Sequence, residues 1–381
     1  MPPRNPFPDT DDGLWYQPPL GIAATDTPAM IGAGLGGTLY TPSIEVELSR
    51  KLRSAARLGA VSAVVCLEDS ISDDDVAEAE RNVTTWFRQL AIEGWDDLPL
   101  LFLRPRAPAH LVAIAEQLGA DGAALVGVCL PKFTAATSST WFEALDVSSS
   151  LVGHQLMAMP IIESRQAVAA ETRVEELVAL RTVLAVERHR VPAVRVGGSD
   201  LCGYFGVRRR ADQTIYDIGP VAGAIADMVN ILGRDHDGIA LAGPVWEYFT
   251  RDLRIWKPQL RESLFGEEDE APALRGQLLA QHMDGLIKEV LKDQANGLWG
   301  KTVIHPSHIP VVNALQAVSF EEWSDAEQVV ATNTGGARKS AFSNKMNEGA
   351  PHRLWATKVQ RRASAFGVLA EGHSFVSLLG G

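Results

Sequence analysis

The sequence has no apolar run long enough to cross a lipid bilayer and contains only three cysteines. A membrane-spanning helix needs about 20 consecutive apolar residues, and the first residues, rich in proline, are not followed by the apolar segment of a signal peptide. We therefore expect a cytoplasmic protein with no membrane partner. Cys66, Cys129 and Cys202 form no C-x-x-C pair, so buried structural thiols are favoured over a redox or zinc role.

The sequence also lacks an excess of basic residues. Its 35 Lys and Arg stand against 47 Asp and Glu, which gives a net charge of −12. This balance disfavours a general nucleic-acid surface, although it is compatible with a local basic pocket. Hydrophobic residues make up 46% and charged residues 22% of the 381 residues. Such a composition is typical of a globular protein with a sizeable core.

Short aliphatic runs alternate with helix-period segments along most of the chain. Because several of the runs are apolar on both faces, they are typical of parallel strands covered by helices. The predicted strands are 38–42, 63–69, 99–104, 124–131, 156–163, 193–199, 238–244 and 299–305. The predicted helices are 44–58, 73–93, 108–118, 140–150, 165–183, 218–233, 274–295 and one from about 308. Eight such units predict an α/β protein with a (β/α)8 TIM barrel.

Three regions are predicted on this basis. Residues 1–37 show no periodicity and are expected to be a loop or strap; their glycine-rich end, 32–37, precedes a strand instead of following one, so a flexible loop is favoured over a dinucleotide site. Residues 38–318 are the barrel, with a long insertion at about 246–273 that suggests a lid or an interface. Residues 319–381 form a C-terminal extension, expected over the barrel mouth or against a neighbouring subunit.

Ionisable residues stand at the carboxyl end of most predicted strands, where barrels of this kind place their chemistry. They are Glu68, Asp69, Arg104, Arg106, Lys132, Glu163, Asp200, Lys301 and His305. Glu163 and Asp200 follow adjacent strands, and two such carboxylates suit Mg²⁺, a hard ion that accepts oxygen ligands; Mn²⁺ is also compatible. Arg104 can hold a carboxylate by a forked pair of hydrogen bonds.

Each of these residues also has a purely structural interpretation. Glu163 and Asp200 could be first-turn acids of helices, and Lys132 could extend along the barrel rim. His305 is equally compatible with a packed, hydrogen-bonded histidine. The run Arg208, Arg209 and Arg210 is either solvated or a site for a phosphate or polycarboxylate.

Six segments, in order, resemble the signature segments of the HpcH/HpaI aldolase and citrate lyase β-subunit superfamily. They are Cys66-Leu67-Glu68-Asp69-Ser70, Leu103-Arg104, Leu130-Pro131-Lys132, Pro160-Ile161-Ile162-Glu163-Ser164, Gly197-Gly198-Ser199-Asp200-Leu201 and Gly300-Lys301-Thr302-Val303-Ile304-His305-Pro306. The tail, with Lys345-Met346-Asn347-Glu348, is similar to that of the carbon–carbon lyase-like proteins encoded with tellurium-resistance and stress genes.

The resemblance implies a Mg²⁺-dependent barrel lyase that is usually a homo-oligomer. Glu163 and Asp200 match metal ligands, Arg104 matches a substrate-binding arginine, and Glu68 and Asp69 match acids near the metal-bound waters. Relatives of the citrate lyase kind act on acyl-CoA thioesters with a tail aspartate. Here Asn347 stands in the corresponding place; an amide cannot act as the base, which leaves Glu348 as the candidate.

The resulting hypothesis is a lyase or aldolase that makes or breaks a carbon–carbon bond in a small carboxylated carbonyl substrate, an oxo-acid or thioester. The catalytic candidates are Glu68, Asp69, Arg104, Lys132, His305 and Glu348. The substrate-binding candidates are Arg104, Arg106, Lys132, Arg208, Arg209, Arg210 and Lys301. Two alternatives stay open: an enzyme that processes a phosphorylated metabolite or nucleotide, and a non-catalytic binding subunit of a stress-response complex.

Overall fold

The computed structural model describes residues 2–234, 239–249, 283–332 and 336–379. The strands are β1 Trp15–Gln17, β2 Gly37–Pro42, β3 Ser62–Cys66, β4 Leu100–Arg104, β5 Leu125–Leu130, β6 Met157–Ile162, β7 Ala193–Val196, β8 Ala240–Trp246, β9 Lys301–Val303, β10 Ala337–Lys339, β11 Met346–Glu348 and β12 Val368–Leu369. Strands β2 to β9 form a closed barrel in chain order. Neighbours pair in parallel, and β9 returns to β2 with Thr302 opposite Thr38. The predicted TIM barrel is confirmed.

Helices cover the outside of the barrel. They are α1 Pro28–Gly34, α2 Leu48–Arg57, α3 Val76–Glu93, α4 Pro108–Leu118, α5 Ser138–Val152, α6 Arg165–Val168, α7 Arg173–Glu187, α8 Gly198–Tyr204, α9 Gly219–Leu232, α10 Asp284–Ala295, α11 His308–Ala314, α12 Phe320–Ala331 and α13 Arg353–Phe366. Short 3-10 turns lie at Asp12–Leu14, Asp73–Asp75, Gly119–Ala124, Ile215–Asp217 and Ser377–Leu379. None of the described helices is both long enough and apolar enough to span a membrane.

The barrel strands bury apolar side chains on both faces, as a parallel sheet requires. Val65 and Leu103 belong to the cluster that packs under the helices, whereas Val64 and Phe102, one residue earlier on each strand, belong to a second cluster with other barrel residues. This alternation follows from the two-residue period of a strand. The three cysteines are buried and free of disulfides.

The amino-terminal end of the barrel is closed by both ends of the chain. Ile31 of α1 and Phe366 of α13 share a buried cluster with Val61 and Leu100, which lie at or just before the first residues of strands β3 and β4. We call this cluster the floor. The helix α1 approaches closely because Gly32 has no side chain: a Cβ there would lie 2.0 Å from the carbonyl oxygen of Pro192. The glycine-rich segment therefore serves helix packing.

Two expectations for the flanking regions need correction. Residues 28–34 form a helix, α1, where a loop was expected. The described part of the C-terminal extension packs at the floor, through α13 against α1, and not over the barrel mouth, because its apolar face matches the amino-terminal ends of the strands. Packing against a neighbouring subunit stays a prediction.

Two helix boundaries also differ from the expected ones. The predicted helix 165–183 is split: Ser164 caps the single turn α6, the chain bends where the Thr172 hydroxyl donates to the carbonyl of Gln166, and α7 follows. The helix expected at 274–295 is described from Asp284, and most of the predicted insertion at 246–273 lies outside the described residues. Trp246 itself ends β8 and is fully buried.

Replacing Phe366 with alanine should destabilise the fold by about 3–5 kcal/mol, because the side chain is 0% exposed and its removal leaves a cavity in the floor. Denaturant unfolding measures this change. Leu354→Ala, in the same helix but with the side chain 52% exposed, is the control and should change the free energy of unfolding by less than about 1 kcal/mol. Equal unfolding midpoints for Phe366→Ala and the native protein would show that the floor is not part of the cooperative unit.

Candidate active site

A cavity of about 420 Å³ opens at the carboxyl ends of the barrel strands. Its lining includes residues from β2, β3, β4, β6, β7, β8 and β9 and from the loops that follow them. Asp69, Arg104, Glu163 and Asp200 all lie in this lining. Four of the ionisable residues that were predicted at strand ends are therefore brought to one pocket.

Arg104, the last residue of β4, lies at the centre of these charges. Its Nη2 atom is 2.6 Å from Glu68 Oε2, 2.9 Å from Asp69 Oδ2 and 3.4 Å from Glu163 Oε1. The residue is 8% exposed. Within the described part of the chain, Arg104 Nε is buried without a hydrogen-bond partner. Arg104 thus holds three carboxylates through one nitrogen and keeps a further donor for a ligand.

Glu163 follows β6 and is positioned from two sides. Its Oε1 accepts a hydrogen bond of 2.8 Å from the backbone N–H of Lys132, and Gly197 packs against it so closely that a Cβ at residue 197 would lie 2.3 Å from Glu163 Oε2. The Asp200 carboxyl lines the same cavity, close enough to Glu163 for the two charges to act on each other. The two predicted metal ligands are therefore direct neighbours.

Three of the four acidic side chains keep protons more readily than usual, whereas the pKa of Asp69 is lowered because its neighbours, Arg104 and Lys132 among them, outweigh the effect of burial. Burial, with the nearby Asp200 carboxylate adding to it and Arg104 opposing it, raises the pKa of Glu163 to about 7. Burial, and then the charge of Asp69, raises the pKa of Asp200. Burial likewise raises the pKa of Glu68. Carboxylates crowded at low solvent exposure repel each other unless a cation or a proton intervenes.

Lys132 completes the group from the rim of β5. Its Nζ atom donates to Glu68 Oε1 at 2.7 Å and lies 3.6 Å from Asp69 Oδ1. The hydrogen bond to Glu68 is the main cause of the raised pKa of Lys132. Its backbone φ is +49°, a left-handed conformation that costs of order 1–3 kcal/mol for a residue with a side chain. That conformation accompanies two contacts at once, from its N–H to Glu163 and from its ammonium group to Glu68.

The donor set of this pocket fits a divalent cation. Among the described residues, the carboxyl groups of Glu68, Asp69, Glu163 and Asp200 share two cationic partners, Arg104 and Lys132, so the acidic groups outnumber the cations. Among residues the structure describes, no three His, Cys, Asp or Glu side chains converge as a metal-binding group. Mg²⁺ commonly binds through one or two carboxylates and leaves other positions to water and substrate, which Glu163 and Asp200 match.

Four basic residues with a predicted substrate role have protein partners instead. Lys301 is 0% exposed, and its Nζ lies 2.8 Å from Glu289 and 2.7 Å from Asp293. Arg209 is buried and also pairs with Glu289, and its guanidinium lies over the Trp246 ring. Arg106 binds the carbonyls of Leu67 and Ile71 and the Asp73 carboxylate, and Arg210 pairs with Asp212. Arg208 is exposed and outside the pocket lining.

The two remaining catalytic candidates lie apart from the pocket lining. The His305 ring stacks on Phe249 with centroids 4.9 Å apart, and its Nδ1 hydrogen-bonds the Ser307 hydroxyl. Glu348 is exposed in the β10–β11 hairpin. That hairpin is anchored on α12, where Asn347 Nδ2 donates to Asp325 Oδ1 at 2.7 Å. Near His305, the fully buried His308 has its pKa lowered to about 4 by burial and by the charge of His305.

Several polar residues of the pocket, among them Tyr40, Arg195 and Thr302, were not predicted from the sequence. Tyr40 and Thr302 line its lower part, and Arg195, from the middle of β7, lies beside them. One signal was available for Arg195: it is a charged residue inside the apolar run Val194-Arg195-Val196, and the two-residue period of a strand turns it away from its neighbours, toward the barrel interior.

The sequence matches, over residues 29–368, the family described as C–C bond lyase of the TIM-barrel fold. The chain belongs to this C–C bond lyase family. The match covers the barrel and most of the C-terminal extension. The resemblance to carbon–carbon lyase-like proteins with a TIM barrel is thereby confirmed.

Comparison with solved structures gives the same fold. CitE from Mycobacterium tuberculosis, solved with magnesium, acetoacetate and coenzyme A, is 20% identical with a TM-score of 0.52, covering 87% of this chain and 99% of that chain. RipC from Yersinia pestis is 18% identical with a TM-score of 0.45, covering 74% of this chain and 95% of that chain. A malate synthase from Haloferax volcanii, in a magnesium and glyoxylate complex, is 13% identical with a TM-score of 0.48, covering 72% of each chain. No curated protein matches the sequence.

Replacing Gly197 with alanine should destabilise the lyase by about 1–3 kcal/mol, because the new methyl group overlaps Glu163 while the backbone φ of −84° accepts alanine. Gly203→Ala is the matched control. A Cβ at residue 203 meets nothing within 4 Å, and alanine in a helix is favoured over glycine by roughly 0.5–1 kcal/mol. Denaturant unfolding should therefore shift in opposite directions for the two variants. A shift in the same direction would contradict the contact between Gly197 and Glu163.

The lyase should lose stability as the pH falls from about 6.5 toward 4, because the unfolded chain protonates His308 in a range where the native state does not. The contribution of the neutral, buried His308 to the free energy of unfolding is fully present above pH 6.5. By about pH 4.5 it should have fallen by roughly 2–3 kcal/mol. Unfolding free energies at several pH values, measured for the native protein and for His308→Gln, test this. Parallel pH curves for the two proteins would refute it.

Proposed function

We propose that this lyase uses a divalent cation, Mg²⁺ or Mn²⁺, to make or break a carbon–carbon bond beside the carbonyl group of a small carboxylated substrate. The observation that carries the proposal is the adjacency of the Glu163 and Asp200 carboxylates beside Arg104 at the carboxyl ends of the barrel strands. The ion would be held by these two carboxylates. When bound, it would polarise the substrate carbonyl and stabilise the negative charge of an enolate.

The protein residues around this position have separable tasks. Arg104 binds the carboxylate or carbonyl oxygen of the substrate with its remaining N–H groups, and its charge is kept in place by the carboxylates of Glu68 and Asp69. Lys132 fixes Glu68 through its ammonium group and Glu163 through its backbone N–H. Glu68 and Asp69 are then placed to hydrogen-bond waters at the cation. Burial of this group strengthens each electrostatic contact with the substrate.

The substrate is proposed to be an oxo-acid or a thioester. The complex of the M. tuberculosis CitE with magnesium, acetoacetate and coenzyme A supports this class. Asn347, in place of the tail aspartate, argues against base catalysis of the citrate lyase kind from that position, and its side chain is engaged by Asp325 and Gln328. A homo-oligomeric state and a link to tellurium resistance belong to the same proposal and rest on the sequence resemblance. A cytoplasmic location is proposed from the composition of the sequence.

The alternative of a phosphorylated substrate has less support. It depended on the arginines 208–210, of which Arg209 and Arg210 are paired with acids and Arg208 lies outside the pocket lining. The alternative of a non-catalytic binding subunit also has less support. The carboxylates around Arg104 are buried, and buried carboxylates cost free energy of folding that a catalytic role would explain.

Metal binding tests the proposal directly. Calorimetric titration of metal-stripped protein with Mg²⁺ should give one site, and Glu163→Gln or Asp200→Asn should lower the affinity at least about tenfold, since each removes a charged ligand. Asp212→Asn, which removes an exposed carboxylate paired with Arg210, is the matched control and should bind Mg²⁺ as the native protein does.

With Mg²⁺ present, pyruvate and oxaloacetate should bind, and Arg104→Met should abolish this binding. Unchanged Mg²⁺ affinity in both ligand variants would reject the site.

A further inference from the structure

Arg195 is a buried cation whose side-chain contacts are with uncharged groups. It is 1% exposed. Its Nη2 donates to the Thr302 hydroxyl at 2.5 Å and its Nη1 to the Thr38 hydroxyl at 3.3 Å, and Nη1 lies 3.9 Å from the sulfur of Met159. The guanidinium carbon is 5.4 Å from the centre of the Tyr40 ring. These partners satisfy some donors of the guanidinium but none neutralises its charge.

Three other buried arginines of this lyase form ion pairs with acids. Arg104 pairs with Glu68, Arg190 with Asp146 and Glu187, and Arg209 with Glu289. For Arg195, no carboxylate lies within ion-pair distance anywhere in residues 2–234, 239–249, 283–332 and 336–379, and over the same residues its Nε has no hydrogen-bond partner. An uncompensated buried charge costs several kcal/mol. Within the described residues, Arg195 therefore has no counterion.

The Arg195 side chain lies at the substrate pocket. Arg195, Tyr40 and Thr302 line the same cavity as Arg104 and Glu163. Tyr40, whose ring lies against the Arg195 guanidinium, is in this lining together with Arg104. A ligand held at Arg104 can therefore extend down the pocket to Arg195.

We propose that Arg195 and the Thr302 hydroxyl form a second anion subsite, which binds an acidic group of the substrate at the opposite end from Arg104. The inference rests on the proposed function for the group at Arg104, and it narrows the substrate to a dianion. A carboxylate is favoured over a phosphate because one guanidinium supplies one positive charge. The substrate class is then a dicarboxylic oxo-acid, and Arg195 determines the preference for it over a monocarboxylate.

The competing explanation is structural: Arg195 could serve only to fill the barrel interior beside Tyr40. The two explanations differ in their consequences. If Arg195 is only structural, Arg195→Met destabilises the fold and leaves anion binding unchanged. If Arg195 is an anion site, removal of an unneutralised buried charge costs little stability in the absence of anions, and the dicarboxylate preference disappears.

The first experiment uses the full-length protein in EDTA, without divalent metal, and titrates malonate, acetate and inorganic phosphate at constant ionic strength by calorimetry. Malonate should bind the native protein, and Arg195→Met should weaken that binding at least about tenfold, the effect of one charge-assisted hydrogen bond. Arg208→Met removes an exposed arginine outside the pocket and should bind malonate normally. Arg195→Lys keeps the charge and should retain part of the affinity; it also serves as the second variant if Arg195→Met does not fold.

The second experiment repeats the titration with Mg²⁺ and compares oxaloacetate with pyruvate. The native protein should prefer oxaloacetate at least about tenfold, and Arg195→Met should bind both ligands equally while keeping its pyruvate affinity. Binding of malonate and oxaloacetate that is unchanged in Arg195→Met overturns the subsite, as does the absence of malonate binding to the native protein. Tighter binding of phosphate than of malonate overturns the dicarboxylate assignment. If Mg²⁺ and pyruvate fail to bind but malonate binding depends on Arg195, the proposed function fails and the subsite stands.

Discussion

The active-site end of this barrel depends on the attraction between Arg104 and the carboxylates around it. Glu68, Asp69 and Glu163 come from the ends of two different strands, and without a shared cation they would repel each other. The closed barrel holds these strand ends at fixed separation, so the repulsion cannot be relieved by moving apart. The unusual backbone of Lys132 and the near-neutral pKa of Glu163 are both consequences of keeping several acids in one buried place.

A second buried cluster of charged residues differs from the active-site group because its charges are balanced. Lys301, Arg209, Glu289 and Asp293 are buried together on the outside of β8 and β9, and their charges cancel. A balanced cluster needs no ligand and ties α10 to the barrel. The active-site group and Arg195 are unbalanced in opposite senses, the first with excess negative charge and the second with a lone positive charge. Among the described residues, these two unbalanced positions are the ones that favour the binding of an ion.

The sequence predicted the barrel and the rim well because parallel strands bring their carboxyl ends to one edge, so the strand-end residues Glu163 and Asp200 had to be neighbours. The sequence could not distinguish Arg104, which ends β4, from Lys301, which begins β9. Lys301 differs from Arg104 in its ion-pair partners, Glu289 and Asp293, which come from α10. The packing of α1 into the floor could not be predicted either, because its partners are also distant in the sequence. Nothing local in residues 28–34 indicates that their small side chains match Pro192 and Phe366 from other parts of the chain.

The floor closes the pocket at the amino-terminal side of the barrel, because Ile31 and Phe366 are buried there. Cleavage of a bond between the two arginines would leave one fragment at Arg195 and the other nearer the mouth. The fragments then have a single exit and must leave in a fixed sequence, the deeper one last. In the synthetic direction the proposed pair of subsites would favour an ordered addition, with the deep fragment loaded first.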